Sequence, residues 1–314
     1  MDYVPVNKIL HLRTNSVDVA CQRVNLSKPG EIEQVVKILR DWIQEQPHFR
    51  RKDFSDAYIK MTILTSKGSV ERAKKQLDKM CTYRTLLPEN FQDWDVRKDF
   101  GHTFEVSSLV ILPKLTKDHH RVFLYKIWDH FKDASQISSN FKYSYIIAEY
   151  AKQCDFAFGY HIVIDFLKIT NLLETIQKLN VLELKQSLTL YMEAYGMKIL
   201  GIHILSTSKI VDIFVSILKQ ILKPKIVDRI HIYKTWDDLH DVLGKEIIPC
   251  EFGGDEKSIR EIQEDWIEEL STKGFRDYLR EMNTASTDET RRSSKKFSEE
   301  YAGMPGTFRV LSVD

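Results

Sequence analysis

Hydrophobic positions over the first 115 residues repeat at helical spacing. One apolar face follows Ser27-Lys28-Pro29-Gly30 and consists of Ile32, Val35, Val36, Leu39, Trp42 and Ile43. A second stripe follows Ser69, which we expect to cap its helix, and consists of Val70, Ala73, Leu77 and Met80. The pattern therefore predicts an all-helical N-terminal domain over residues 1–115.

The periodicity of the hydrophobic positions changes near residue 121, where short runs rich in β-branched and aromatic residues begin. Strand-like runs lie at 122–128, 159–166, 197–205 and 229–234. Helical patterns lie between them, near 141–153, 171–194 and 209–222. Strands joined by connections of helix length are typical of a βαβ sheet, so this part of the chain is expected to have an α/β fold.

The segment IIPCEFGGD (247–255) is followed by Glu256, so the chain contains Gly-Gly-Asp-Glu, four-fifths of a nucleotide-cyclase signature. That signature requires strands on both sides of its turn, whereas a helical period follows here, with Ile259, Ile262, Trp266, Ile267 and Leu270 aligned. We therefore interpret Gly253-Gly254 as a structural corner and Asp255 as the N-cap of a helix. The polar segment 284–300 is predicted to be flexible.

Composition and charge narrow the classes of function. The chain has 314 residues, of which 43% are hydrophobic and 29% charged, and its net charge is +1, so no nucleic-acid partner is expected. The four cysteines are far apart, which argues against a metal site or a disulfide framework. We find neither a secretory signal nor an apolar run of the roughly 18 residues that a spanning helix requires. A cytoplasmic monomer is expected.

Catalytic signatures are missing from the sequence. The patterns GxSxG, GxxxxGK[ST], GxGxxG and HExxH do not occur. His161 and Asp165 share one face of a predicted strand, but no nucleophile accompanies them, and a buried structural histidine is the better interpretation. We expect no catalytic residue, no cofactor, no metal and no enzyme activity.

Several segments, in order, resemble the CRAL-TRIO family, which includes tocopherol and retinaldehyde carriers. The corner IIPCEFGGD is similar to the family segment LPxEYGG, and GYHIVIDF (159–166) to its central strand. The other similar segments are LRDWIQEQPHF (39–49), AKKQLDKMCTYRTLLPE (73–89), GIHIL (201–205), KIVDRIHIY (225–233) and GTFRVLSVD (306–314), the last being common in insect members.

The resemblance implies a domain organisation and a function. It implies an N-terminal helical domain (1–115), a lipid-binding α/β domain (116–272) and a C-terminal tail (273–314). It also implies that the apolar helix at 209–222 is a mobile gate. The expected function is non-enzymatic binding of a small lipophilic ligand, of the tocopherol, retinoid, carotenoid or terpenoid class, and its transfer between membranes.

The resemblance and the alternation of strand side chains together give candidate ligand contacts. They are Phe141, Ser144, Ala148, Tyr160, Ile164, Leu179, Leu190, Tyr191, Tyr195, Met197, Ile199, Ile202, Phe214, Ile217 and Leu218. Since a buried hydroxyl needs a partner, Tyr160, Tyr191 and Tyr195 are expected to orient a polar group of the ligand. Many of these positions are equally compatible with ordinary core packing.

Relatives dock on membranes that contain phosphatidylinositol phosphates, through a basic patch beside the gate. Lys198, Lys225 and Arg229 match three of its positions, whereas Leu64 occupies the fourth. Peripheral membrane association is therefore expected. The alternative is a phosphoinositide-sensing or protein-interaction module that uses the same fold with a shallow or filled pocket.

Overall fold

The computed structural model describes residues 7–292, and its N-terminal part is helical as predicted. The helices are α1 (Ser16–Arg23), α2 (Glu31–Glu45), α3 (Asp56–Thr65), α4 (Val70–Leu86) and α5 (Val96–Phe104). Ser69 caps α4 by accepting a hydrogen bond from the amide of Arg72, as the sequence indicates. The apolar faces of α1 to α4 form one buried cluster.

A five-stranded sheet follows, in the spatial order β1-β2-β3-β4-β5. The strands are β1 (Ser107–Ile111), β2 (Arg121–Ile127), β3 (Tyr160–Asp165), β4 (Ile199–Leu205) and β5 (Ile230–Tyr233). Strand β1 pairs antiparallel with β2, and the other pairings are parallel. Strand β1 lies inside the region predicted to be all-helical (1–115), so that prediction is wrong for residues 107–111. The sequence pattern missed β1 because the strand is buried at every position and lacks the alternation that marks a half-buried strand.

The helices that connect and cover the strands extend to residue 283. They are α6 (Ala134–Cys154), α7 (Leu172–Gln177), α8 (Val181–Thr189), α9 (Val211–Ile221), α10 (Pro224–Val227), α11 (Asp237–Leu243), α12 (Ile259–Leu270) and α13 (Lys273–Asn283). Among the described residues, no helix combines the length and the apolarity needed to cross a membrane.

The single helix predicted over 171–194 is in fact three pieces. Asn171 caps α7 and Asn180 caps α8, each through its side-chain oxygen, so the chain restarts at each asparagine. Residues Leu190–Ala194 then form a π-helical turn, in which the amide of Tyr195 donates to the carbonyl of Leu190 over 3.0 Å. The asparagines were visible in the sequence, but the π turn has no comparable sequence signal.

The glycine corner is structural, although the helix cap was assigned to the wrong residue. Gly253 has φ +82°, and a Cβ on Gly254 would lie 1.9 Å from the carbonyl oxygen of Ile248. Both positions therefore require glycine. Ser258, not Asp255, caps α12, because Ser258 forms a capping box with Glu261.

The start of the segment predicted to be flexible packs on the N-terminal helices. Thr287 Oγ1 lies 2.8 Å from Thr85 Oγ1, and Arg292 donates two hydrogen bonds to Asp78, at 2.9 and 2.8 Å. These contacts correct the prediction for residues 284–292. The rest of that prediction, and the similarity at 306–314, fall outside the described residues.

A buried polar network holds the carboxyl end of β3. The Asp165 carboxylate accepts hydrogen bonds from Lys126 Nζ on β2, from the Trp236 indole and from the Leu167 amide, each at 2.8 Å. Lys126 is 1% exposed and Asp165 is fully buried. Because burial of either charge without the other is costly, the pair fixes the register of β3 against β2.

Removing the carboxylate tests this role. Asp165→Ala is expected to lower the free energy of unfolding by about 3–5 kcal/mol, because it leaves the Lys126 ammonium buried and unpaired. Urea denaturation measures the loss. The double variant Lys126→Met/Asp165→Ala should recover part of it, and a loss below about 1 kcal/mol in the single variant would contradict a structural role for the pair.

Candidate ligand-binding site

A cavity of about 150 Å³ lies between the sheet, α6 and the predicted gate, and we call it the gate-side cavity. Of the predicted contacts, it is lined by Phe141, Ser144, Ile164, Leu179, Tyr191 and Phe214. Ile162 and Ile164 lie in the middle strand of the sheet and are still only half-buried, because part of their surface faces this space. Its lining is almost entirely apolar, as a lipophile requires.

A second cavity of about 290 Å³ lies between the N-terminal helices and the α/β domain, and we call it the interdomain cavity. Four predicted contacts, Ala148, Tyr160, Tyr195 and Met197, line this cavity instead of the first. Leu64 lines it as well, beside Lys198. The predicted set of ligand contacts is therefore divided between two spaces.

The remaining predicted contacts line neither cavity. Ile199, Ile202 and Leu218 are buried in the cluster that joins the sheet to α9, and Ile217 packs against that cluster. Leu190 is fully buried in a separate cluster with Met80 and Tyr83. These five residues border neither cavity, and their role as ligand contacts stays a prediction.

The three tyrosines expected to act together have different partners. The Tyr191 hydroxyl hydrogen-bonds to Ser144 Oγ in the gate-side cavity. The Tyr160 hydroxyl donates to Asp155 over 3.4 Å, and that of Tyr195 to the Tyr145 carbonyl over 3.4 Å. Burial raises the pKa of Tyr191 well above its usual value, so this phenol is neutral. Of these three tyrosines, Tyr191 lines the gate-side cavity, whereas Tyr160 and Tyr195 line the interdomain cavity.

Helix α9 presents apolar side chains in two directions. Val211, Phe214, Val215 and Leu218 are buried, and the Phe214 ring packs edge-on against Phe166 with centroids 5.4 Å apart. On the opposite side Ile213 is 46% exposed. An apolar outer face on a helix that borders a cavity agrees with a lid that meets lipid.

Basic side chains cluster where β4 begins, and sequence reasoning found only some of them. The pKa of Lys198 is lowered by partial burial and then by the charges of Lys67, Arg229, Arg23 and Lys225. The three predicted residues therefore lie near one another, and Arg23 and Lys67 from the N-terminal helical region join them. Sequence reasoning missed Arg23 and Lys67 because they lie far from the other three residues in the sequence.

The opposite face of the sheet carries a row of histidines. His161 Nδ1 lies 3.0 Å from His203 Nε2, and His161 Nε2 lies 3.4 Å from His120 Nδ1. Burial, followed by neighbouring histidines, lowers the pKa of His203 to about 3 and that of His120 to about 4. His161 pairs with these rings, whereas Asp165 pairs with Lys126, so the His-Asp pair considered from the sequence does not form.

Strands β1 and β2 supply lining residues that the sequence did not indicate. These are Leu109, Phe123, Tyr125 and Ile127 in the gate-side cavity, and Ile111 in the interdomain cavity. Nearly every position of both strands is buried, so their hydrophobic pattern cannot distinguish a cavity face from a helix-packed face. The strand at 122–128 was predicted, but which of its faces lines the cavity was not, and β1 was not predicted at all.

Two family models match the chain. The CRAL/TRIO domain matches residues 105–254, and the Pinta-like UBA domain matches residues 28–99. Among solved structures, the crystal structure of Sfh5 is 10% identical, covers 74% of this chain and 90% of its own, and has a TM-score of 0.49. A search of curated protein sequences finds no match.

Proposed function

We propose that this chain, which carries a CRAL/TRIO domain over residues 105–254, binds one small lipophilic ligand without catalysis and transfers it between membranes. The observation that carries the proposal is the apolar gate-side cavity, which α9 borders through Phe214. The ligand enters or leaves when the contacts of α9 with the cavity are replaced by contacts with a bilayer. A tocopherol, retinoid, carotenoid or terpenoid would match the apolar lining.

Aromatic packing favours a carrier over a module with a filled pocket. Phe214 packs on Phe166, while Tyr191 packs beside Phe123 with ring centroids 6.4 Å apart. All four rings line the gate-side cavity, and the Tyr191 and Phe214 rings each pack against a different aromatic partner. A filled pocket, with Tyr191 against Phe214, would have supported a phosphoinositide-sensing or protein-interaction module, which we keep as the alternative.

Membrane docking is the second part of the proposal. The exposed Ile213 on α9 and the basic residues Lys198, Lys225 and Arg229 would meet a bilayer together, with apolar contact from the gate and attraction to anionic headgroups such as phosphatidylinositol phosphates. The protein would then act as a cytoplasmic monomer that associates peripherally with membranes.

The outer face of the gate can be tested by adding a charge to it. Wild-type protein is expected to bind all-trans-retinol saturably, and to pass it from donor to acceptor vesicles. Ile213→Glu is expected to leave equilibrium binding unchanged, because the side chain points away from the cavity. It should slow transfer several-fold, because a carboxylate opposes contact with the bilayer. Retinol fluorescence measures both quantities.

The matched control is Val242→Glu, since Val242 on α11 is also 46% exposed. It should transfer retinol at the wild-type rate. Equal slowing in both variants, or no slowing in Ile213→Glu, would contradict the gate mechanism. Absence of saturable binding of retinol and of a panel of other lipophiles by the wild-type protein would contradict the carrier function itself.

The basic patch is tested with vesicles that contain a phosphatidylinositol phosphate. Lys198→Ala/Lys225→Ala is expected to bind them roughly 20- to 30-fold more weakly, since each basic residue contributes about 1 kcal/mol at an anionic surface. The difference should shrink at high salt. Lys37→Ala/Lys75→Ala removes two exposed lysines elsewhere and should bind like wild type. Equal binding by both double variants would contradict the patch.

A further inference from the structure

The gate-side and interdomain cavities are neighbours along the same face of the sheet. On β1, Leu109 lines the first cavity and Ile111 the second; on β3, Ile162 lines the first and Tyr160 the second. Residues two apart on a strand face the same side and are separated by only about 7 Å. On each of these two strands, residues only two positions apart therefore line different cavities.

Helix α6 also contributes lining residues to both cavities. Ser144 lines the gate-side cavity, and Ala148, one turn later on the same helix face, lines the interdomain cavity. With a rise of about 5.4 Å per turn, the helix adds little distance between the two spaces. The cavities therefore share a floor of sheet and a wall of α6.

Two tyrosines separate the cavities. Tyr191 borders the gate-side cavity, Tyr195 borders the interdomain cavity, and their ring centroids lie 6.5 Å apart. Tyr191 belongs to the π-helical turn, which the amide of Tyr195 closes by donating to the carbonyl of Leu190. Turns of this type are rare and occur frequently at functional sites, where a local change of winding moves a side chain. Rotation of the Tyr191 ring away from Ser144 would join the two spaces.

A buried amine lies at the interdomain end. Lys152 is 5% exposed, and its Nζ donates to Thr65 Oγ1 over 3.1 Å and lies 5.7 Å from the centre of the Tyr58 ring. Within the described residues it forms no salt bridge. Burial lowers the pKa of this amine to about 7, with Glu149 acting in the opposite direction. A buried amine with a single hydrogen bond is costly unless an anion joins it.

The nearby carboxylates do not supply that anion. Both carboxylate oxygens of Asp155 accept from Arg121 Nε at 3.1 Å, and Glu149 accepts from Arg84 Nη2 at 2.8 Å. Both acids are thus neutralised by buried arginines, which leaves Lys152 with unused donors.

We propose that the two cavities are compartments of one site, which holds a long-chain carboxylic acid with its chain in the gate-side cavity and its carboxylate on Lys152. The inference rests on the proposed carrier function and specifies the class of ligand. Together the compartments enclose about 440 Å³, from 290 and 150 Å³, which falls within the usual range of ligand sites. Arg23, Lys67 and Lys198 also line the interdomain cavity and would attract the acid to it.

The test compares two ligands that have the same hydrocarbon chain and different head groups. The fluorescent polyene cis-parinaric acid and its primary alcohol are titrated into wild-type protein, Lys152→Met and Lys152→Arg. Wild type should bind the acid roughly 10-fold or more tightly than the alcohol, because the buried amine makes a charge-assisted contact only with the acid. Lys152→Met should remove most of this preference, leaving only the attraction of the cations that line the interdomain cavity, and Lys152→Arg should retain most of it. Lys75→Met, a charge loss on the exposed surface of α4, should keep it in full.

The possible failures can be distinguished. Equal binding of acid and alcohol by wild type, or an unchanged preference in Lys152→Met, would overturn the head-group inference while leaving a lipophile carrier. Tighter binding of the phosphate monoester of the same alcohol would overturn the choice of a carboxylate. Saturable binding of neither polyene, nor of retinol or the lipophile panel, would overturn the carrier function. Urea midpoints near the wild-type value confirm that each variant is folded.

Discussion

The hydrogen bonds of the Asp165 carboxylate fix the orientation on which the ligand site depends. Lys126, Trp236 and the Leu167 amide all donate to it in the core. Since side chains alternate along a strand, anchoring Asp165 on one face commits Ile162 and Ile164 to the other. A slip of one residue would place a carboxylate in the gate-side cavity and isoleucines in the polar network. The apolar character of the site thus depends on a charged group buried behind it.

Helix α6 extends this arrangement to the N-terminal helices. Glu149 on α6 pairs with Arg84 on α4, and both side chains are almost fully buried. Because an unpaired charge at this depth would be costly, the pair binds the helical region to the α/β domain in one register. The interdomain cavity lies along the same boundary, so its shape depends on that register as well.

Much of the fold follows from the sequence pattern, and much of the site does not. The alternation in β3 and the apolar stripe of α9 predicted the central strand and this helix, and a CRAL/TRIO domain model matches residues 105–254, in agreement with the resemblance found in the sequence. Strand β1 was missed because a fully buried run lacks periodicity. The division of the predicted contacts between two cavities depends on where the rings of Tyr191 and Tyr195 lie. Tertiary packing sets the positions of these rings, and the periodicity of hydrophobic residues in the sequence does not reveal them.

The central claim is that the chain carries a lipophile inside the α/β domain. Its most direct test is mass spectrometry of the organic extract of protein purified from the tissue that makes it, with the molar ratio of any lipophile to protein determined. Our account predicts one lipophile at close to one molecule per chain. No stoichiometric lipophile in the extract, together with no saturable uptake from a panel of fluorescent lipids, would contradict the account and favour the interaction-module alternative.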